Sequence, residues 1–245
     1  MTVADSVSTT LLGRRVRLHD LSQEVSQNTQ VHPLHPRVEV YPFESHANSA
    51  AALGTGFSYR ASLLIISDHG STHVDAITHF DPDPAAATID QMPLDLFCGE
   101  AICLDLSHVP PLTGITVADL EAALAKDGLD LRTGDIVLLY TGHYERTTGT
   151  PEYLTEFPGL EPESARWLIE QGAKMFGNQA ISVDVAGRYA FPVHMVAREL
   201  GVTHIENVGP LAAVAGKRFT LFAFPLKIIP GTGSPIRLVA AVPED

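Results

Sequence analysis

A single α/β domain, with a mixed sheet and helices packed outside it, is the fold this sequence predicts, and three observations predict it. The chain has 245 residues, 45% of them hydrophobic, enough to bury a full core within one domain. Short β-branched and apolar runs alternate along it with segments of helical period. No repeat recurs at a spacing of about 20 to 50 residues, and no low-complexity stretch separates two halves. Residues 13–245 are expected to form the domain, and residues 1–12, rich in Ser and Thr, a flexible tail or an arm reaching a partner subunit.

Strands are expected at RVRLHDLS (15–22), RVEVYPF (37–43), YRASLLIIS (59–67), AICLDLS (101–107), DIVLLYTG (135–142), AISVDV (180–185), THIENV (203–208), FTLFAFPLKI (219–228) and IRLVAAV (236–242). Several are apolar throughout, the signature of strands covered on both faces. Helices are marked by their ends. Thr116 with Asp119 three residues on forms a capping box, Leu120, Ala123 and Leu124 share a face, and Gly128 stops that helix. EPESARWLIEQG repeats the plan, with Pro162 in the first turn and Gly172 at the end. A third helix is expected from about His194 to Leu200, stopped by Gly201.

Charge and composition exclude several classes. With 16 Lys and Arg against 29 Asp and Glu, the formal charge is -13, and such a field repels phosphate backbones, so nucleic acid is not an expected partner. The opening MTVADSVSTTLLGRR lacks a basic start followed by an apolar run, and no stretch of about 18 apolar residues occurs, so neither export nor membrane insertion is expected and the cytoplasm is. The two cysteines, Cys98 and Cys103, read as buried reduced thiols, with a disulfide across the short loop between them as the alternative.

Chemistry concentrates in HGSTHVDAITHF, residues 69–80, directly after the apolar run LLIIS. A chain leaving a buried strand is free to line a pocket. In an extended path His73, Asp75 and His79 project to one side, whereas on a helix His69 and His73 would align. Either geometry converges three or four imidazole and carboxylate groups, the ligands that zinc, manganese and iron accept. His32 and His35, in VHPLHP, read as a surface turn, and His108 and His204 as structural. In FPVHMVARELGVTHIENVGPL, a helix-turn-strand unit returns Glu206 toward His194; taken alone, these two read as a helix-end imidazole and a backbone-bonded carboxylate.

HGSTHVDAITHF resembles the H-x-G-T-H-x-D-x-P-x-H-F signature of the cyclase-like metal hydrolases, which include bacterial kynurenine formamidases and isatin hydrolases. HDLSQEV, GDIVLLYTG, FPGLEPESARWL and the pair His194 and Glu206 extend the likeness over most of the chain. The resemblance implies a swivelling β/β/α fold, commonly dimeric or of higher order, and one or two divalent ions, zinc or manganese. It implies that His69, His73 and Asp75 hold one ion, that Asp75 reaches a second held also by His194 and Glu206, with Glu206 a shared ligand, and that His79 gives and takes protons. The reaction implied is hydrolysis of an amide-type C–N bond in a small molecule by activated water. Ring-closing, dehydrating or lactone-opening chemistry, and a non-catalytic ion site, remain as alternatives.

Ser71 stands where the signature has Gly, and Ile77 where it has Pro. Trp167 is the one tryptophan, away from the DLS segment where kynurenine formamidases carry theirs, and Gln179 stands where relatives often carry Asp. A serine triad is not expected, because no G-x-S-x-G elbow is present. Phe43, His46, Phe80 and His143 are candidates for contact with substrate, with Phe57, Tyr59 and Tyr144 as further wall candidates.

Overall fold

The computed structural model describes residues 6–244. In chain order, β1 (Ser6–Leu11) and β2 (Arg14–Asp20) are followed by β3 (Glu39–Glu44), α1 (His46–Leu53) and β4 (Ala61–Ile65). Next come β5 (His73–Asp75), α2 (Ile77–Phe80), β6 (Cys98–Asp105), β7 (Gly114–Ile115) and α3 (Val117–Asp127). The middle holds β8 (Ile136–Tyr140), α4 (His143–Thr147), β9 (Gly159–Leu160), α5 (Pro162–Glu170) and β10 (Met175–Asn178). The chain then runs through α6 (Pro192–Leu200), β11 (Thr203–Glu206), β12 (Arg218–Phe222), β13 (Gly233–Pro235) and β14 (Val239–Pro243).

Ten strands make one mixed sheet in the order β1-β2-β14-β12-β6-β8-β10-β11-β5-β13. Its centre, β6-β8-β10-β11, is parallel, and the flanking pairs are antiparallel. Because side chains alternate along a strand, β8 sends Ile136 and Leu138 into one core and Val137 and Leu139 into the other. The second core is closed by α3, α5 and α6 through Leu120, Leu168, Val193 and Val196. The first is closed by Phe97, Leu211 and the strands β12 and β14. This is the mixed α/β domain the sequence predicts.

The helix ends follow their signals. Thr116 and Asp119 form the capping box of α3, and Gly128 is left-handed at its end. Pro162 opens α5, and α6 starts at Pro192, two residues before the expected His194, because a proline fits the first helical position. Several expectations are corrected, and FTLFAFPLKI is a strand only as far as Phe222. AISVDV is not a strand: 180–185 loops across the strand ends, bridging only from Asp184 to Leu160. The strand lies earlier, in β10, whose Gly177 is approached so closely by Ile205 that an added Cβ would sit 2.9 Å from it. β4 is not covered on both faces; it pairs only with β3 in a separate hairpin, leaving Leu63, Leu64 and Ile65 about half exposed. Ser6–Leu11, expected within the tail or arm, pairs as β1 along β2, and residues 1–5 lie outside the described residues. No helix among the described residues is long and apolar enough to cross a membrane.

Candidate metal centre

The short strand β5 lies between β11 and β13, with His73 opposite Glu206 and Val74 opposite Ile205. The pleat sends Val74 and Ile205 into the core, which puts His73 and Asp75 on the same face as His204 and Glu206. His69 reaches that face from the turn before β5, where Gly233 leaves it room: an added Cβ there would meet the His69 ring at 2.7 Å. His194 arrives from the first turn of α6, and His79 from α2, whose backbone N–H donates to the Ala76 carbonyl.

Each of three imidazoles is fixed by a partner on its far nitrogen. Thr232 Oγ1 donates to Asp68 Oδ2 at 2.7 Å, so it accepts from His69 Nε2–H at 2.9 Å. That leaves the His69 Nδ1 lone pair facing Asp75 Oδ1 at 2.8 Å. His73 Nδ1–H donates to the Ser71 carbonyl at 2.9 Å, so the Nε2 lone pair faces Asp75 Oδ1 at 3.3 Å and Glu206 Oε2 at 3.6 Å. His194 Nδ1–H donates to Asp184 Oδ2 at 2.6 Å, and its Nε2 faces Glu206 Oε1 at 3.5 Å and Asp75 Oδ2 at 3.9 Å. Lone pairs thus confront carboxylate oxygens at all three places.

Acceptors facing acceptors repel unless a cation lies between them, and His73 Nε2 and Asp75 Oδ2 are buried without a hydrogen-bond partner. Burial opposes ionisation of Asp75, but the charge of His204 outweighs it and holds its carboxyl well below the usual range. Burial likewise opposes charge on His204, yet Asp75 and Glu206 push its imidazole up to about 10. Two donor groups could hold a metal ion: His69, His73 and Asp75, and Asp75, His194, His204 and Glu206. Asp75 serves both, with Oδ1 toward the first and Oδ2 toward the second.

His79 stacks on His69, ring centroids 3.9 Å apart, with Nε2 3.9 Å from Asp75 Oδ2. Burial, reinforced by the neighbouring imidazoles, lowers it to about 4 against the pull of Asp75, so it is a free base at neutral pH. The cluster opens into a cavity of about 370 Å³ whose wall includes Phe80, Ile181, Phe191 and Met195.

The residues expected at the site are therefore brought together unevenly. His69, His73, Asp75, His79, His194, Glu206 and Phe80 come together around the cavity. Three substrate-contact candidates do not reach it within the chain. Phe43 is exposed on the β3 edge, and His46 opens α1 and pairs with Ser58. His143 has no exposed surface, being packed on Tyr153 and bonded to its carbonyl at 3.0 Å. His204, expected to be structural, sits within the cluster, and His32 and His35, expected at the surface, line the cavity. The proline turn in VHPLHP, closed by His35 N–H to the His32 carbonyl, carries both rings there. No sequence signal points to Asp184.

The two departures from the signature have structural settings. Ser71 has φ of 59°, a left-handed backbone that explains a glycine in relatives. Ile77 occupies the first position of α2, where a proline would fit equally. Gln179 is buried away from the cavity, accepting from Thr141 N–H and donating to Glu145 Oε2 and the Gly209 carbonyl.

The Cyclase family model matches residues 19–185. This chain belongs to the Cyclase family. Among relatives, a kynurenine formamidase of Delftia acidovorans is 31% identical over 189 residues, 77% of this chain and 83% of its own. The isatin hydrolase of Roseibium aggregatum is 26% identical over 252 residues, covering 96% of this chain and 90% of its own. A solved isatin hydrolase A from Labrenzia aggregata, bound to benzyl benzoate, matches this Cyclase-family chain with a TM-score of 0.81 at 26% identity over 94% of each chain.

Proposed function

We propose that this protein is a metal-dependent hydrolase that cleaves an amide-type C–N bond, a formamide, lactam or cyclic imide, in a small partly apolar molecule. One observation carries the reading: His69, His73 and His194 each have one nitrogen fixed by a partner and turn the other toward the buried carboxylates of Asp75 and Glu206. Those five residues would hold one or two divalent ions, and a mixed imidazole and carboxylate set suits zinc or manganese. A divalent ion bound there supplies Lewis-acid chemistry, lowering the pKa of a water toward about 7 and polarising a carbonyl.

His79 takes the water proton and returns it to the leaving nitrogen. Its free-base state at neutral pH leaves it ready to accept the proton, and its place at the cavity supports both halves of that role. Phe80, Phe191 and Met195 give the substrate's organic part an apolar wall. The names of the relatives, kynurenine formamidase and isatin hydrolase, support C–N hydrolysis as the reaction class. The exposed Tyr41, Phe43, Leu63 and Leu64 of the β3–β4 hairpin support a homodimer or higher oligomer that covers them. The free thiols of Cys98 and Cys103 accord with a cytoplasmic home.

The experiment is a screen of formamides, lactams, cyclic imides and lactones with chelator-stripped protein, each divalent ion restored in turn. Hydrolysis of a C–N substrate that disappears on chelation and returns with zinc or manganese is expected. Turnover of lactones alone would move the reaction to C–O bonds, and unchanged turnover in chelator would remove the metal from the mechanism.

A further inference from the structure

His204 has surroundings that a core-filling role does not account for. Its ring lies fully buried between Phe80 and Phe176, centroids 5.7 and 5.8 Å away with planes at 18° and 10°. Neither ring nitrogen makes a hydrogen bond of acceptable geometry, and Nε2 is ion-paired only with the carboxylates of Asp75 and Glu206. Burying a polar ring without a hydrogen bond is costly, so an apolar side chain would serve better if filling space were the task.

The direction of Nε2 supplies the missing reason. It lies 3.0 Å from Asp75 Oδ2 and 3.5 Å from Glu206 Oε1, while His194 Nε2 lies 3.9 and 3.5 Å from the same two oxygens. A tetrahedron whose vertices stand about 2.0–2.1 Å from its centre has edges of about 3.3–3.4 Å. The four distances bracket that edge, and two nitrogens with two carboxylate oxygens are a donor set that zinc accepts.

We propose that His204 is the fourth protein ligand of a second divalent-ion position, completed by Asp75, His194 and Glu206. The inference rests on the metal reading above and adds a division of labour. Four protein ligands close a tetrahedral site, whereas three leave a position for water. The second position is therefore a closed, structural one that neutralises the buried carboxylates. The two phenyl rings hold the His204 imidazole on its line to Asp75.

The test uses cobalt(II) added to chelator-stripped full-length protein, with metal counted by elemental analysis after desalting and coordination read from visible absorption. Wild type should retain two ions per chain, one with the intense absorption of tetrahedral cobalt. His204→Phe, which preserves the stack between the two rings, should retain one ion tightly and weaken the second at least tenfold, with that absorption lost. His204→Asn provides a second variant, and circular dichroism with a thermal melt checks that each is folded. A wild type that binds a single ion, or a folded variant that keeps two with an unchanged spectrum, overturns the assignment of His204. Wild type that binds no ion at all overturns it too, and with it the metal reading on which it rests.

Discussion

Asp184 Oδ2 lies 2.6 Å from His194 Nδ1, and Oδ1 of the same carboxylate accepts the Val193 backbone N–H at the start of α6. One carboxylate therefore sets both the helix end and the ring it presents. Carboxylates in this position fix the imidazole tautomer and raise its basicity as a ligand, and their loss costs about 10–100-fold in metal affinity or activity. Asp184→Asn should lose divalent-ion affinity within that range while its thermal melt stays cooperative. Competitive titration against a chromogenic chelator measures this, and unchanged affinity would make Asp184 a helix cap only.

His79 has a different duty, because it lines the cavity but, among the described residues, no group that could hold an ion includes it. His79→Ala should lower kcat by about 10²–10⁴-fold, the span of general acid-base catalysis. Metal content per chain should not change. Elemental analysis beside steady-state kinetics separates the two effects; loss of metal would make His79 a ligand, and near-normal kcat would remove it from proton transfer.

Ser71 tests whether the signature glycine reflects backbone or side chain. At φ of 59° a serine is strained, and its hydroxyl recovers only a 3.3 Å bond to the Gln23 carbonyl. Ser71→Gly should change stability by less than about 1 kcal/mol, since relieved strain and added chain entropy offset each other. Ser71→Val places a β-branched side chain in the left-handed region and should cost about 2 kcal/mol or more. Urea melts of both variants decide; equal losses would mean that the hydroxyl matters.

His143 makes an acid-sensitive element away from the metal centre. Burial, aided by Arg146, lowers it to about 4 although the Tyr153 carbonyl holds its N–H. The unfolded chain takes up this proton near pH 6.5 and the folded chain only near 4, so stability falls as pH drops between those values. The loss is about 2 kcal/mol by pH 4.5. His143→Gln should remove that share of the difference between urea melts at pH 7 and pH 4.5. The same pH dependence in the variant would place the proton uptake elsewhere.

Much of this arrangement is legible in the chain because it rests on local rules. Thr116, Asp119 and Gly128 bound α3 as capping chemistry requires, and the alternation of His73, Val74 and Asp75 puts two polar groups on one face of β5. The same alternation in THIE sends His204 beside Glu206, but a lone histidine in an apolar strand gives no sign of what its strand faces. β10 carries no strand signal because Met-Phe-Gly-Asn lacks β-branched residues; its glycine answers to packing against β11, which only the fold reveals. ISVDV carries strand-like side chains yet stays irregular. Its backbone is committed to the site, with Val183 N–H donating to Glu206 Oε1 at 3.0 Å and Asp184 holding His194. His32 and His35 join the cavity through a turn whose destination no local signal encodes.

The most direct test of the central claim is divalent-ion binding to stripped, folded wild type and to Asp75→Asn, whose carboxylate faces both donor groups. Isothermal titration with zinc and with manganese should give at least one tight ion per wild-type chain. Asp75→Asn, folded by circular dichroism, should bind at least about 100-fold more weakly, because removing a direct ligand exceeds the loss of an orienting partner. A folded wild-type chain that takes up neither ion, or an Asp75→Asn variant that binds as tightly as wild type, would contradict the account.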